Sequence, residues 1–247
     1  MVTAVPPTTA PPTISTPRLI GLVALVLLVV CLGAVAASEL LKNTRQTTTM
    51  LPRHVERVVV DAGSGDVRLQ GGEGNRVVVQ QDLQWLWRRP TVSMRVVGSV
   101  LRIASSCPTG GPVNRCKADL ALTIPFDADV KVAGDAGDIR AERLAGHLEL
   151  GTNDGDVRGA DLNPVSVRAD TDAGDVALEF STQPVSVSAT SNAGDVELDL
   201  PAGGEYRVDA TTNAGDVEVA GLVRNDRALR SISAATDAGD VRVQGHA

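Results

Sequence analysis

Six aspartates recur at near-even intervals through the second half of the chain. They are Asp138, Asp156, Asp175, Asp195, Asp216 and Asp240, separated by 18, 19, 20, 21 and 24 residues. Each ends the phrase [Asp/Asn]-x-Gly-Asp and is followed by Val or Ile; a looser copy runs from Asp61 to Asp66 and Val67. If such repeats stack, the carboxylates form a file. At about 5 Å two unit charges repel by roughly 0.8 kcal/mol in water, and by more near a low-dielectric surface, so something must offset the repulsion. Each Asp can accept backbone N–H bonds within its own turn, which favours the charged form. Alternatively, divalent cations can sit between coils, because a file of hard oxygen ligands suits Ca²⁺. The denser Gly-Gly-x-Gly-x-Asp nonapeptide of calcium β-rolls is missing, so the turn reading leads and a calcium file is the alternative. No other cofactor is expected.

Cys107 and Cys116 bracket a turn-rich Pro-Thr-Gly-Gly-Pro-Val-Asn-Arg segment, and Cys31 is the remaining cysteine. The spacing suggests one disulfide and an oxidising compartment; half of a metal site and two free thiols are the alternatives. Trp85 and Trp87, placed to share one strand face beside Arg88 and Arg89, read either as a binding or bilayer-facing strip or as a plug for one end of the core. His54, His147 and His246 stand apart in sequence, and no Ser-His-Asp order, phosphate loop or paired metal-ligating histidines accompany them. A carbohydrate-active site built on clustered Asp would need aromatic platforms, and the repeat region carries only Phe180 and Tyr206. An enzyme is not expected.

The elements that position these residues are strands. Val165, Val167 and Ala169 alternate with Ser166, Arg168 and Asp170, then comes the Asp172-Ala-Gly turn, and Val176, Leu178 and Phe180 resume the alternation. Period-2 patterning marks half-buried strands. A repeat near 20 residues means stacked units that cannot bury their apolar faces alone. Recurrence of one corner once per repeat favours a parallel β-solenoid over an antiparallel meander, since identical corners must stack at roughly 4.7–4.9 Å. The scarcity of aromatics, five in the chain, fits a narrow lumen with little room for rings.

Residues 1–17 hold five prolines and five threonines without a charge, which reads as a disordered tail. Residues 18–37 contain nineteen uncharged residues after Arg18, long enough for one membrane span and read as an uncleaved signal anchor. Lys42, Arg45 and Arg53 follow it and weakly favour a cytoplasmic domain. The cysteine pair favours the extracytoplasmic side, which is the reading adopted. Residues 38–54 read as a linker and 55–247 as the solenoid. After Ser38 the chain carries all 30 acidic and 22 of the 23 basic side chains, a balance of 22 − 30 = −8 that argues against nucleic acid. The last corner, Asp237 to Asp240, lies close to Ala247, so the C-terminal coil is expected to leave an open β edge for self-association or a partner strand.

The phrase at Asp61–Leu69 and its six copies from Asp135 to Val243 resemble the bacterial putative-adhesin family of unknown function. That resemblance covers residues 55–247. It implies an all-β, membrane-anchored solenoid associated with the cell envelope, adhesion and envelope stress, and it implies no catalytic residues. The expectation is a single-pass membrane protein that binds an envelope protein or glycan. A calcium-stabilised scaffold is the second reading, and a carbohydrate-active enzyme the third.

Overall fold

A computed structural model describes residues 43–51, 54–108 and 116–246; the predicted tail, the membrane span over 18–37 and Cys31 lie outside the described residues. The chain begins with β1 (Asn43–Leu51), β2 (Arg57–Ser64), β3 (Val67–Gly72), β4 (Val77–Trp85) and β5 (Thr91–Val97). It continues through β6 (Val100–Ser106), β7 (Cys116–Pro125), β8 (Asp129–Ala136), β9 (Ile139–Glu142) and β10 (Leu148–Asp154). Then follow β11 (Val157–Leu162), β12 (Ser166–Ala173), β13 (Val176–Phe180), β14 (Ser186–Ala193) and β15 (Val196–Pro201). The last five are β16 (Glu205–Ala214), β17 (Val217–Ala220), β18 (Val223–Arg224), β19 (Arg230–Ala238) and β20 (Val241–His246).

These strands form two sheets of ten. Sheet A runs β1-β4-β7-β3-β9-β11-β13-β15-β20-β17 and sheet B runs β18-β16-β19-β14-β12-β10-β8-β2-β6-β5. The expected architecture holds in its essentials: one strand of each sheet makes a coil, and neighbouring coils pair in parallel. Val167, Ala169, Val176, Leu178 and Phe180 of one coil stack on Val187, Ala189, Val196, Leu198 and Leu200 of the next, all buried. Side chains alternate between faces, so one face of each strand lines the apolar lumen and the other faces water. Burying each lumen Val or Leu contributes on the order of 1.5–3 kcal/mol relative to exposure, which is why no coil is stable without neighbours.

Four expectations need correction. Val165 and Val185 are about half exposed, because they precede their strands. Phe180 and Tyr206 are fully buried, so the lumen does admit rings. The stretch read as a linker contributes β1, which pairs antiparallel with β4 from Asn43–Trp85 to Leu51–Val77. Most consequentially, the C-terminal coil is not at the edge: β19 and β20 insert between the β14/β15 coil and the β16/β17 coil. Strand length supplies the reason. β20 matches β15 over six residues, from Val196–Val241 to Pro201–His246, whereas β17 stops at Ala220, before Gly221 turns with φ 71°. The His246 ring also meets Asp199 at 2.7 Å.

Candidate functional site

In space the corner carboxylates follow the order Asp119, Asp66, Asp138, Asp156, Asp175, Asp195, Asp240, Asp216, set by their mutual hydrogen bonds. Their hydrogen bonds differ from those expected. From Asp119 to Asp240, each Oδ1 accepts the backbone N–H of the next Asp in this order, in the adjacent coil and not in its own turn. The distances include 2.8 Å (Asp175 N–H to Asp156), 2.9 Å (Asp195 N–H to Asp175) and 2.8 Å (Asp240 N–H to Asp195). The charge repulsion of the file is therefore offset between coils, by the bond that joins them.

A further ladder runs beside this one. The buried hydroxyls of Thr152, Thr171, Ser191 and Thr236 donate to the carbonyls of Gly137, Gly155, Gly174 and Gly194 in the adjacent coil. The sequence signal is a Ser or Thr three residues before Gly155, Gly174, Gly194, Gly215 and Gly239. It passes unnoticed because these residues also fit the alternation. Glycine is required where the ladders meet. Gly174 has φ +140°, and a Cβ there would lie 2.2 Å from the Gly155 carbonyl oxygen, far inside contact distance.

Cys107 and Cys116 form a disulfide with a Cα–Cα distance of 5.8 Å. They join β6 to β7, at the place where the other coils carry the Gly-Asp corner. Asp119 Oδ1 accepts the Asp66 N–H, so this coil keeps the Asp–Asp bond of the corner, while Ser105 Oγ accepts the Gly63 N–H where the other coils' hydroxyls donate to a carbonyl. The disulfide is the covalent closure of that corner.

Charge is distributed unevenly along the file. Lys117 lies 3.2 Å from Asp66 and 3.1 Å from Asp119; Arg140 reaches Asp138 at 2.8 Å, and Arg158 reaches Asp156 at 2.7 Å. Burial disfavours ionising Asp138, but the Asp156 N–H, Arg140 and Arg158 outweigh it and hold the carboxyl below the usual range. Burial likewise opposes the Lys117 charge, and its bonds to Asp119 and Asp66 outweigh that and raise it. Farther along, the row that holds Arg140 and Arg158 continues as Ala177, Glu197, Arg242 and Glu218, and Arg242 pairs with the glutamates at 4.0 and 3.3 Å.

The change of sign across sheet A makes a dipolar groove of about 390 Å³. Its lining carries Arg140 and Arg158 on β9 and β11, with Glu142 next to Arg140 on β9, and Glu179, Glu197 and Asp199 on β13 and β15; Ala160 and Ala177 lie among them. The irregular pairing between Gly159 and Leu162, with Asp161 at φ 51°, breaks the pleat beside it. Such a groove suits a ligand with separated positive and negative groups, or an extended chain with alternating charge. Among the described residues, no group of three or more His, Cys, Asp or Glu side chains has a metal-binding arrangement.

The remaining expected residues fall elsewhere. Trp85 ends β4 and is partly buried, whereas Trp87 lies in the following bend, 67% exposed. They do not share a strand face and neither plugs the core; Arg89 stacks over the Trp85 ring at 5.6 Å from its centroid. One pairing was invisible in sequence. His147 Nδ1 lies 2.6 Å from Ser166 Oγ, since β10 and β12 are adjacent. Asp129 accepts the His147 backbone N–H at 3.1 Å, and that contact bypasses the imidazole, so the three groups are not ordered as a proton relay.

No curated protein is detectably similar in sequence. A cell adhesion protein from Clostridium sporogenes, described as putative, is 10% identical; the match covers 83% of this chain and 100% of that one, with TM-score 0.46. A putative adhesin from Bacteroides fragilis is 11% identical over 82% and 97% of the two chains, with TM-score 0.43. A putative lipid binding protein from Parabacteroides distasonis is 9% identical over 82% and 95%, with TM-score 0.29. The Toastrack DUF4097 profile matches residues 49–244, nearly the whole of the stack, and the chain belongs to that family.

Proposed function

We propose that this protein is a non-enzymatic binding and adhesion protein of the cell envelope, anchored by one N-terminal span with the β-stack on the extracytoplasmic side. The observation that carries the binding role is the dipolar groove on sheet A. It lies on a scaffold whose corner Asp, Ser and Thr groups are already engaged in stacking, so the groups free to meet a ligand are on the outer faces. The Cys107–Cys116 bond supports the location, since such bonds persist in oxidising compartments.

Thiol labelling and external protease on intact cells test the location. Cys107 and Cys116 should resist alkylation until reduced, and protease should remove the stack. Free, protected thiols would place the domain in the cytoplasm and end the envelope reading. For binding, full-length protein in detergent is co-sedimented with isolated cell walls and with vesicles of envelope lipid. Glu179→Arg should weaken retention at least tenfold without lowering the melting temperature. Unchanged retention would remove the groove from the binding role.

A further inference from the structure

We infer that the open end of the stack, formed by β16 and β17, is an interaction surface for a second copy of this chain, joined head to head about a two-fold axis. This inference is independent of what the sheet faces bind.

The surface is an interrupted lumen. Val208, Ala210, Thr212, Val217 and Val219 occupy the inward register of Ile232, Ala234, Thr236, Val241 and Val243. The latter five are 0–4% exposed, whereas Val217 is 45% exposed and the others of the end coil are only partly covered. The backbone is interrupted too. Each inner corner sends its Gly and Val N–H groups to the next coil, as Gly239 does to Ala214 and Val241 to Asp216. The Asp216 corner is the last, and among the described residues no further coil receives the Gly215 and Val217 N–H groups or bonds Asp216 Oδ1. β18 covers only Glu205 and Tyr206, so the outer edge of β16 from Arg207 to Ala214 is unpaired among the described residues.

The composition of the edge selects the occupant. The opposite end of the molecule shows antiparallel strands β1 and β5, so a head-to-tail stack would not repeat the corner ladder. A two-fold relation instead sets β16 antiparallel to itself, and the backbone donors and acceptors then match by symmetry. Centred on Ala210, it places Val208 opposite Thr212, Asp209 opposite Thr211 and Arg207 opposite Asn213 of the other copy. Inward positions meet inward positions, and no like charges are opposed, a requirement for cross-strand pairs. Both exposed lumens close against each other.

The test uses full-length protein in its membrane, with Cys31→Ser to remove the thiol predicted to lie in the span. Residues on the axis are close enough to bridge, since directly opposed Cβ atoms stand about 4.5–5.5 Å apart. Ala210→Cys should therefore give a species of twice the chain mass on oxidation. Ala133→Cys, exposed in the middle of sheet B, should not. Val208→Lys with Val219→Lys should lower the Ala210→Cys dimer at least tenfold, with folding checked by a cooperative thermal unfolding transition. Monomer alone, equal dimer from Ala133→Cys, or cross-linking only to a protein of different mass would each overturn the inference.

Discussion

At one end of the stack, β1, β4 and β5 run antiparallel to their neighbours, and the lumen beneath them, including Val58, Val77 and Leu101, is sealed. A disulfide closes the corner of that end. At the other end the parallel order simply stops at β16 and β17, with Val217 and Val223 about half exposed. Antiparallel capping changes the edge so that it no longer matches the coil below it, which limits continuation. The parallel end keeps the geometry of every inner coil. The difference teaches that the same repeat that makes the stack cohesive also makes it extendable unless another motif ends it.

The sharpest way to break the comparison is deletion. Removing Arg230 onward takes out Ile232, Ala234, Val241 and Val243 from the lumen. At about 1.5 kcal/mol or more per side chain the loss exceeds about 5 kcal/mol, or more than 10 °C in melting temperature for a domain this size. Removing residues 43–51 instead deletes a strand with no fully buried side chain, and the melting temperature should fall by only a few degrees. Equal losses in thermal unfolding would mean that the capping strands carry as much stability as a coil.

Glycine substitutions sharpen it next. Gly174→Ala should cost about 3 kcal/mol, because both φ and the Gly155 carbonyl oppose the added carbon. Gly203→Ala, with φ +84° and open space around it, should cost about 1–2 kcal/mol, the conformational part alone. Denaturant midpoints at constant slope would separate them.

The carboxylate file gives a smaller contrast. Asp175→Ala removes the acceptor for Asp195 N–H and should cost roughly 1.5–3 kcal/mol, the range for bonds to charged groups. Asp216→Ala removes an acceptor that no further described coil uses and should stay within about 0.5 kcal/mol. A stabilised Asp175→Ala would show that repulsion in the file outweighs the bond.

The smallest effect is in acid. Asp138 is held below the usual range in the folded chain, so the unfolded chain binds its proton first. Its contribution is present above the unfolded value, about pH 4, and is lost as pH falls through the lower folded value. The melting temperature of Asp138→Asn should therefore depend less on pH below about 4 than that of the parent.

Much of this was legible in the residues. Alternation of Val167, Ala169, Val176 and Leu178 with polar neighbours identifies the strands, and recurrence of Gly-Asp-Val identifies stacked corners. The cysteine spacing pointed to the observed pair. The donor to each Asp was misplaced because a carboxylate can reach its own turn or the adjacent coil, and sequence spacing does not distinguish them. Trp85 and Trp87 seemed to share a face because nothing at Leu86 announces that β4 ends one residue earlier. The sheet A groove was not legible, since Arg158, Glu179 and Asp199 belong to three different repeats and meet only through their registers.

By itself the sequence determined the local alphabet: strand, corner, strand, with an apolar inner face and a glycine where only glycine fits. Those properties depend on a residue and its immediate neighbours. The order of coils was decided only in three dimensions. The corners at Asp195, Asp216 and Asp240 carry the same groups, so each could follow the other with nearly the same bonds. The choice fell to the lengths of β15, β17 and β20 and to the contact between His246 and Asp199. Interchangeable repeats leave the order to small differences at their ends, and which coil is left open depends on those differences.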